Sequence, residues 1–242
     1  MTKIAIVTGG SNGIGLACCQ QLIAEDYHVC NLDITPSECG EYWPCDVSDF
    51  EQVTYTINAI AQKHRQIDAL VCNAGKHLSG TIENTSEQAL DALFSLNVKG
   101  AIAAISATLP SMKSANSGAI VIIGSDQSTI AKPNSFAYNL TKHALASLAK
   151  TTALDYAAYN IRANAVCPGT IETPLYHQAI DNYCQRSGAS KAEIHAEEEK
   201  LQPLGRLGQA DEVAQLVCFL ASNKASFITG SLHPIDGGYT TG

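Results

Sequence analysis

The chain has 242 residues, 45% of them hydrophobic and 16% charged, with a formal net charge of −8. A chain of this length hides roughly 70–75% of its unfolded surface, and the composition excludes a disordered or collagen-like protein. No Lys/Arg block stands out, which argues against a nucleic-acid footprint.

Short apolar runs alternate with helix-like segments. Lys3–Thr8 reads as a strand and leads into a helix over Gly13–Glu25. His28–Asp33 is the next strand, with a weaker one at Tyr42–Asp46 and a helix at Asp49–Lys63. Ala69–Asn73 is followed by a long helical stretch, Ser86–Ser114, where Gly100 and Pro110 predict a kink or an early end. Then come strand Ala119–Ser125, helix Phe136–Tyr156, strand Arg162–Cys167, helix Asp211–Ser222 and strand Leu232–Asp236. The strands are mostly unalternating, as expected when both faces are buried. The pattern predicts an α/β fold: one domain over 1–242, a Rossmann-type doubly wound parallel sheet of about seven strands flanked by helices. One segment breaks the rhythm. Pro174–Pro203 is polar and charged, with Glu197, Glu198 and Glu199 in a row, and suits a substrate-covering helical lid. A solvated helical excursion is the other reading.

The nine cysteines are odd in number and scattered through apolar runs, with no CxxC or Cys/His spacing that suits zinc. They read as free thiols of a reducing cytoplasm, and no metal is expected. MTKIAIVTGG has no apolar leader region, and no apolar stretch of roughly 18 residues is evident, so neither a signal peptide nor a membrane span is expected.

Between the first strand and helix lies Thr8-Gly9-Gly10-Ser11-Asn12-Gly13-Ile14-Gly15. Gly9, Gly13 and Gly15 allow a tight turn, close backbone approach to a pyrophosphate and close helix–strand packing, while the helix N-terminus offers N–H groups and partial positive charge to phosphates. Ser11, Asn12 and Ile14 share this loop. Asp33 ends the second strand, near the ~20-residue offset of a carboxylate that bonds the ribose 2′-OH. No basic residue occupies position 12 or follows Asp33 closely, so NAD is favoured over NADP. Asp46, followed by Val47, suits an adenine contact, with helix capping the competing role. Asn73-Ala74-Gly75 closes the fourth strand, at the edge of the ligand crevice.

Tyr138 and Lys142 are spaced i, i+4 and share one helix face. Ser125 ends a strand, where its hydroxyl could enter the crevice. The set TGGSNGIG, Asp46, Cys72-Asn73-Ala74-Gly75, Asn97, Ser125, Tyr138-x-x-x-Lys142 and Pro168-Gly169 resembles the short-chain dehydrogenase/reductase family, from Lys3 to Gly238. The resemblance implies that Tyr138 is the general acid or base, that Lys142 stabilises its phenolate and bonds the nicotinamide ribose, that Ser125 holds the substrate oxygen and that Asn97 supports a relay water. It also implies that the Ile171 backbone and Thr173 meet the nicotinamide side. Cys72 stands where the family often has Asn. Asp126 follows Ser125 directly; a carboxylate beside that hydroxyl could select a polyhydroxy or cationic substrate, but strand alternation would turn it away from the crevice, and that reading is favoured.

The lid offers Tyr176, His177, Tyr183, Cys184, Arg186 and His195, without the continuous apolar face expected over a steroid or long acyl chain. The expected function is hydride transfer between NAD(H) and a secondary alcohol or ketone, with a sugar, polyol or hydroxy acid favoured. A 3-oxoacyl-thioester reductase is the alternative within the family, and a non-catalytic dinucleotide sensor or scaffold the alternative outside it. The resemblance also implies a homo-oligomer, a tetramer or dimer, built on the long helices and the C-terminus.

Overall fold

The computed structural model describes residues 2–241, with the side chain of Arg186 outside the described set. The first strand forms over the expected residues, β1 (Lys3–Thr8). Ile4 and Ile6 pack on one face of the sheet and Ala5 and Val7 on the other, which is why the run shows no alternation. Then come α1 (Gly13–Ala24), β2 (Tyr27–Asp33), the short strand β3 (Glu41–Pro44) and α2 (Phe50–His64). Asp49, rather than Asp46 or Ser48, caps α2, its carboxylate accepting from the N–H groups of Glu51 and Gln52. β4 (Ala69–Cys72) follows.

The long helical stretch is α3 (Glu87–Phe94), a π-helical turn (Ser95–Lys99) and α4 (Gly100–Ala115). The interruption lies at the π turn; Pro110 sits inside α4. Gly100 is required by packing, because a Cβ there would lie 2.6 Å from the Val47 carbonyl oxygen. By length and composition, Glu87–Ala115 could cross a membrane, although no stretch of that kind was evident from sequence. Much of it lies in the core: Ala103, Ala104, Ile105 and Met112 are buried with β4, β5 and α2 side chains, while Ile102 is exposed.

β5 (Gly118–Ile123) ends before a single 3-10 turn, Asp126–Ser128. α5 (Phe136–Tyr156) forms over the expected residues, then β6 (Ile161–Pro168) and a two-residue strand, β7 (Ile171–Glu172). The segment 174–203 is helical, α6 (Pro174–Ser187) and α7 (Lys191–Leu201). β8 (Gly208–Gln209) pairs with β7 in a small second sheet that sequence patterning did not predict, before α8 (Ala210–Ala221) and β9 (Leu232–Ile235). Two-residue strands carry too little pattern to be read.

The main sheet is parallel in the order β3-β2-β1-β4-β5-β6-β9. One face is covered by α2, α4 and α5, the other by α1 and α8. The chain reverses winding direction between β1 and β4, and in such sheets a crevice opens beyond the strand C-termini at that point. The nine cysteines are unpaired, seven of them buried.

Candidate active site

The crevice beyond β1 and β4 holds two adjoining cavities. The first, about 300 Å³, is lined by Gly9, Asn12, Gly13, Ile14, Asp33, Asp46, Val47 and the Asn73–Gly75 turn. Gly9 (φ +67°) and Gly13 (φ +52°) hold a backbone conformation that favours glycine. Gly15 has no room for a side chain: a Cβ would collide with the Gly9 carbonyl and the Asn73 amide. Asn73 braces this loop, its Nδ2 donating to the carbonyl oxygens of Thr8 (3.1 Å) and Gly9 (2.9 Å). Asp33 accepts from the N–H of Ser11 (3.0 Å) and Thr35 (2.9 Å), which fixes its carboxylate at the cavity wall. Ser11 itself points to Thr35, donating to its carbonyl oxygen at 2.6 Å. Asp46 accepts from the backbone and hydroxyl of Ser48 while remaining on the wall. A bare glycine cradle at a helix N-terminus, ending at a fixed carboxylate, fits a dinucleotide.

The second cavity, about 500 Å³, shares Ile14, Asn73, Gly75, Thr173 and Leu175 with the first. It gathers Ser125, Tyr138 and Lys142, with Pro168, Gly169, Ile171 and Thr173 on the far wall. The chain leaves β5 at Ile123, and Ser125 caps the turn that follows: Gln127 N–H donates to its Oγ at 3.2 Å and Ser128 Oγ accepts from its N–H at 3.1 Å. Tyr138 and Lys142 lie one turn apart on α5. Lys142 Nζ donates to the Ile123 carbonyl oxygen at 2.9 Å and stands 5.4 Å from the Tyr138 ring centre. Thr173 caps α6, accepting from the Tyr176 N–H, with Pro174 in the first turn.

Electrostatics here follow burial. The Tyr138 ring is crowded by protein, and desolvation pushes its phenol well above 10, with a hydrogen bond to Ser125 opposing and the Asp126 charge adding to the rise. Burial lowers the Lys142 ammonium to about 8, with Cys167 and Asp126 opposing.

The pattern of a family described as "Enoyl-(Acyl carrier protein) reductase" matches residues 9–240. A 2-keto-3-deoxy-L-fuconate dehydrogenase of Xanthomonas campestris is 36% identical, over 98% of this chain and 80% of its own. A solved short chain dehydrogenase family protein from Francisella tularensis is 40% identical, with a TM-score of 0.93 and both chains wholly covered. The chain belongs to the short-chain dehydrogenase/reductase family. Another solved member, the aldohexose dehydrogenase of Thermoplasma acidophilum, is 36% identical, with a TM-score of 0.94 over 99% of this chain and 94% of that one.

Within this short-chain dehydrogenase/reductase, two expectations change. Asp126 does not turn away. Alternation stops with β5 at Ile123, and the 3-10 turn carries Asp126 onto the cavity wall. There it is buried, accepts from Ser125 Oγ at 2.6 Å and pairs with Lys132 Nζ at 2.7 Å. The segment 174–203 also differs from expectation. Leu175, Ala179, Ile180, Tyr183, Ile194 and Leu201 line the cavity, so α6 and α7 present an apolar strip that the polar residues had obscured. Tyr176 lines it too, its hydroxyl 2.9 Å from His195 Nδ1, whereas His177, Cys184 and His195 are not among the lining residues. Asn97, on the π turn, commits its amide to Thr141 Oγ1 and to both backbone groups of Lys76.

Several site residues were missed from sequence. Asn97 clamps Lys76, and Gly80 bridges to the start of α5 through Asn134 and Phe136. Between those anchors His77 sets its ring edge-on to Tyr138, with centres 4.8 Å apart. Burial, then Lys132 and Lys142, lower its imidazole pKa, so it stands neutral beside the phenol. Lys132 also lies 4.4 Å from the Tyr239 ring centre, which ties the C-terminal segment to the site. The only hint for His77 was its place two residues beyond Gly75; Lys132 sits in a loop with no motif.

Proposed function

We propose that the protein transfers a hydride between NAD(H) and a secondary alcohol or ketone on a small, polar substrate such as a sugar, polyol or hydroxy acid. The observation that carries the reaction is the joining of Ser125, Tyr138 and Lys142 in one cavity that runs into a glycine-lined dinucleotide cleft. When bound, the nicotinamide supplies or accepts the hydride. Tyr138 passes the proton to or from the substrate oxygen. Ser125 donates a hydrogen bond to that oxygen as its charge grows. Lys142 keeps cationic charge beside the phenol and holds the nicotinamide ribose. Asn97 acts through the Lys76 backbone as a positioning residue, and a relay water beside it belongs to this reading.

NAD rather than NADP is supported by the carboxylate of Asp33, held at the cleft wall by two N–H donors. Among the described residues no Lys or Arg lines that cleft. A fixed carboxylate accepts from a ribose diol and repels a 2′-phosphate. Fluorescence titration with NADH and NADPH tests the assignment, and tighter NADPH binding refutes it.

The polar substrate is supported by Asp126, Gln127, Lys132 and His77 around the reacting position. Gln127 Oε1 is buried without a hydrogen-bond partner, an acceptor suited to a substrate hydroxyl. The apolar strip of the lid favours one competing substrate, a 3-oxoacyl thioester. Screening alcohols, sugars and hydroxy acids with NAD, and 3-oxoacyl thioesters with NADH, separates them by absorbance at the reduced nicotinamide band. Tyr138→Phe should bind NADH normally and lose turnover by roughly 10²–10⁴-fold. Full activity in that variant refutes the catalytic role. Normal NADH binding with no turnover of any compound favours a sensor.

A homo-oligomer, dimer or tetramer, belongs to the same proposal, since Ile102 of α4 and Leu140 and Leu154 of α5 are large exposed apolar residues. Unpaired cysteines suit a cytoplasmic location.

A further inference from the structure

Away from both cavities, four potential metal donors converge at the edge of the sheet. His28 and Cys30 lie two apart on β2 and so share one of its faces. Glu41 opens β3 in register with Cys30. His64 is the last residue of α2. One ligand atom from each lies within 4.8 Å of every other. His28 Nε2 is 2.8 Å from Glu41 Oε2, and His64 Nε2 is 3.2 Å from the same oxygen. That His64 nitrogen is shut off from solvent and has no hydrogen-bond partner. The two imidazole ring centres lie 4.7 Å apart, with the planes tilted at 38°. Sequence spacing could not show this set, because 28, 30, 41 and 64 meet only through strand pairing and the end of a helix.

We propose that His28, Cys30, Glu41 and His64 form a binding site for a zinc-class divalent cation, structural and separate from the catalytic cavity. The donor set selects the metal. Two imidazoles, a thiolate and a carboxylate suit a borderline ion with tetrahedral preference, and a hard ion such as magnesium or calcium would want oxygen alone. Zinc bonds of about 2.0–2.3 Å put ligand atoms roughly 3.3–3.6 Å apart. The present separations bracket that range, so side-chain rotation suffices while the three backbones stay in place.

Charge balances as well. Glu41 is already ionised: burial would raise its carboxyl, but hydrogen bonds from Lys63 and His28, with the charges of Lys63 and His64, hold it down at about 2. Cys30 is a thiol pushed up to about 12, chiefly by burial and then by Glu41. Binding replaces the S–H bond with an S–metal bond and releases that proton, with any carried on the ligating imidazole nitrogens, to solvent. One thiolate and one carboxylate then neutralise the dication, and no electron moves. Lys63 keeps its 2.8 Å bond to Glu41 Oε1 and orients the carboxylate from outside. A half-exposed His28 gives the ion its way in. A loaded site would pin the edge strand β3 and the end of α2 to β2, three residues upstream of Asp33.

The test uses the full chain without an affinity tag, stripped with chelator and titrated with Zn²⁺ against a chelating dye, then with Co²⁺. The expected result is one zinc per chain, a thiolate-to-cobalt charge-transfer band, tetrahedral visible bands and a Tm that rises with free zinc. Cys30→Ser should abolish the charge-transfer band, and both Cys30→Ser and His28→Gln should weaken zinc binding by at least about tenfold. Because Cys30 is buried, circular dichroism checks its fold, and the surface variant His28→Gln decides if Cys30→Ser misfolds. No stoichiometric zinc, or binding that neither variant weakens, overturns the proposal and leaves Glu41 as the centre of an ion-pair cluster.

Discussion

Replacing Gly15 by Ala isolates packing in the dinucleotide loop from backbone strain. Gly15 has no positive φ, so alanine carries no conformational penalty there. The obstacle is space. Its Cβ would overlap the Gly9 carbonyl oxygen and the Asn73 amide, and would lie 2.8 Å from the Gly9 carbonyl carbon, where ordinary contact begins at 3.4 Å. The β1–α1 loop must therefore retreat by at least about 0.6 Å, and Asn73 must release its bonds to Thr8 and Gly9. Two lost hydrogen bonds cost roughly 1 kcal/mol each, and overpacking adds about 1–3 kcal/mol. A total near 4 kcal/mol lowers the Tm of a chain this size by roughly 8–16 °C. NADH binding should weaken at least about tenfold, because the moved carbonyl enters the space a pyrophosphate needs. Gly188→Ala is the complementary control: its φ is +74° and no atom lies within 4 Å of the place its Cβ would take, so it should cost only the roughly 1–2 kcal/mol of left-handed strain and leave NADH affinity unchanged. Scanning calorimetry and NADH fluorescence read both variants. A Gly15→Ala protein with wild-type Tm and NADH affinity would refute the reasoning.

Burial keeps Tyr138 protonated through neutral pH, so kcat/KM for reduction should be level near pH 7 and fall on the alkaline side. Oxidation should rise with pH and flatten as Lys142 loses its proton at about 8; an oxidation rate that falls from pH 6 to 8 would contradict this. Asp126→Asn removes a charge that raises the Tyr138 phenol and frees the Lys132 cation beside it, so the oxidation profile should move about one unit to lower pH, measured as kcat/KM against pH; no shift would disconnect Asp126 from the phenol. Glu41 has a folded pKa of about 2 against about 4.3 unfolded. Its stabilisation is therefore complete above the unfolded value and lost as pH falls toward 2. In metal-free buffer, the Tm gap between wild type and Glu41→Gln should shrink between pH 5 and 2, and a constant gap would assign the effect to packing.

What was legible from sequence was local or followed a period. β1 and α5 formed over their expected residues because each is an uninterrupted run bounded by turn chemistry. Gly9, Gly13, Asp33, Ser125, Tyr138 and Lys142, which line the two cavities, could be singled out because their spacing within a strand–turn–helix frame is itself the signal. The misses were set by tertiary structure. His77 reaches Tyr138 through two anchors, at Asn97 and at Gly80, that lie far apart in sequence. The apolar strip of α6 and α7 is spread over two helices at positions 175, 179, 180, 194 and 201, and among charged neighbours neither helix alone displayed it. The His28–His64 quartet needed a strand register and a helix end to meet.

Asp126 shows where a sequence rule stops applying. Alternation holds only while the chain stays extended, and here the ladder ends at Ile123. Ser125 has extended backbone angles but serves as the cap of a new turn, so the residue after it starts a turn rather than continuing a strand. The same turn that aims Ser125 into the cavity thus brings Asp126 with it. A lone buried carboxylate beside a phenol would oppose phenolate formation; Lys132 offsets this by pairing with its outer oxygen, while the inner one takes the Ser125 hydroxyl. For Ser125 to donate to a substrate oxygen it must exchange that 2.6 Å bond for one to the substrate. A substrate whose neighbouring hydroxyl donates to the released carboxylate restores the balance, and a plain ketone does not. Among ketones of equal size, those with an adjacent hydroxyl should therefore show the higher kcat/KM, and the preference should disappear in Asp126→Ala; a preference that survives the substitution would place hydroxyl recognition elsewhere in the cavity.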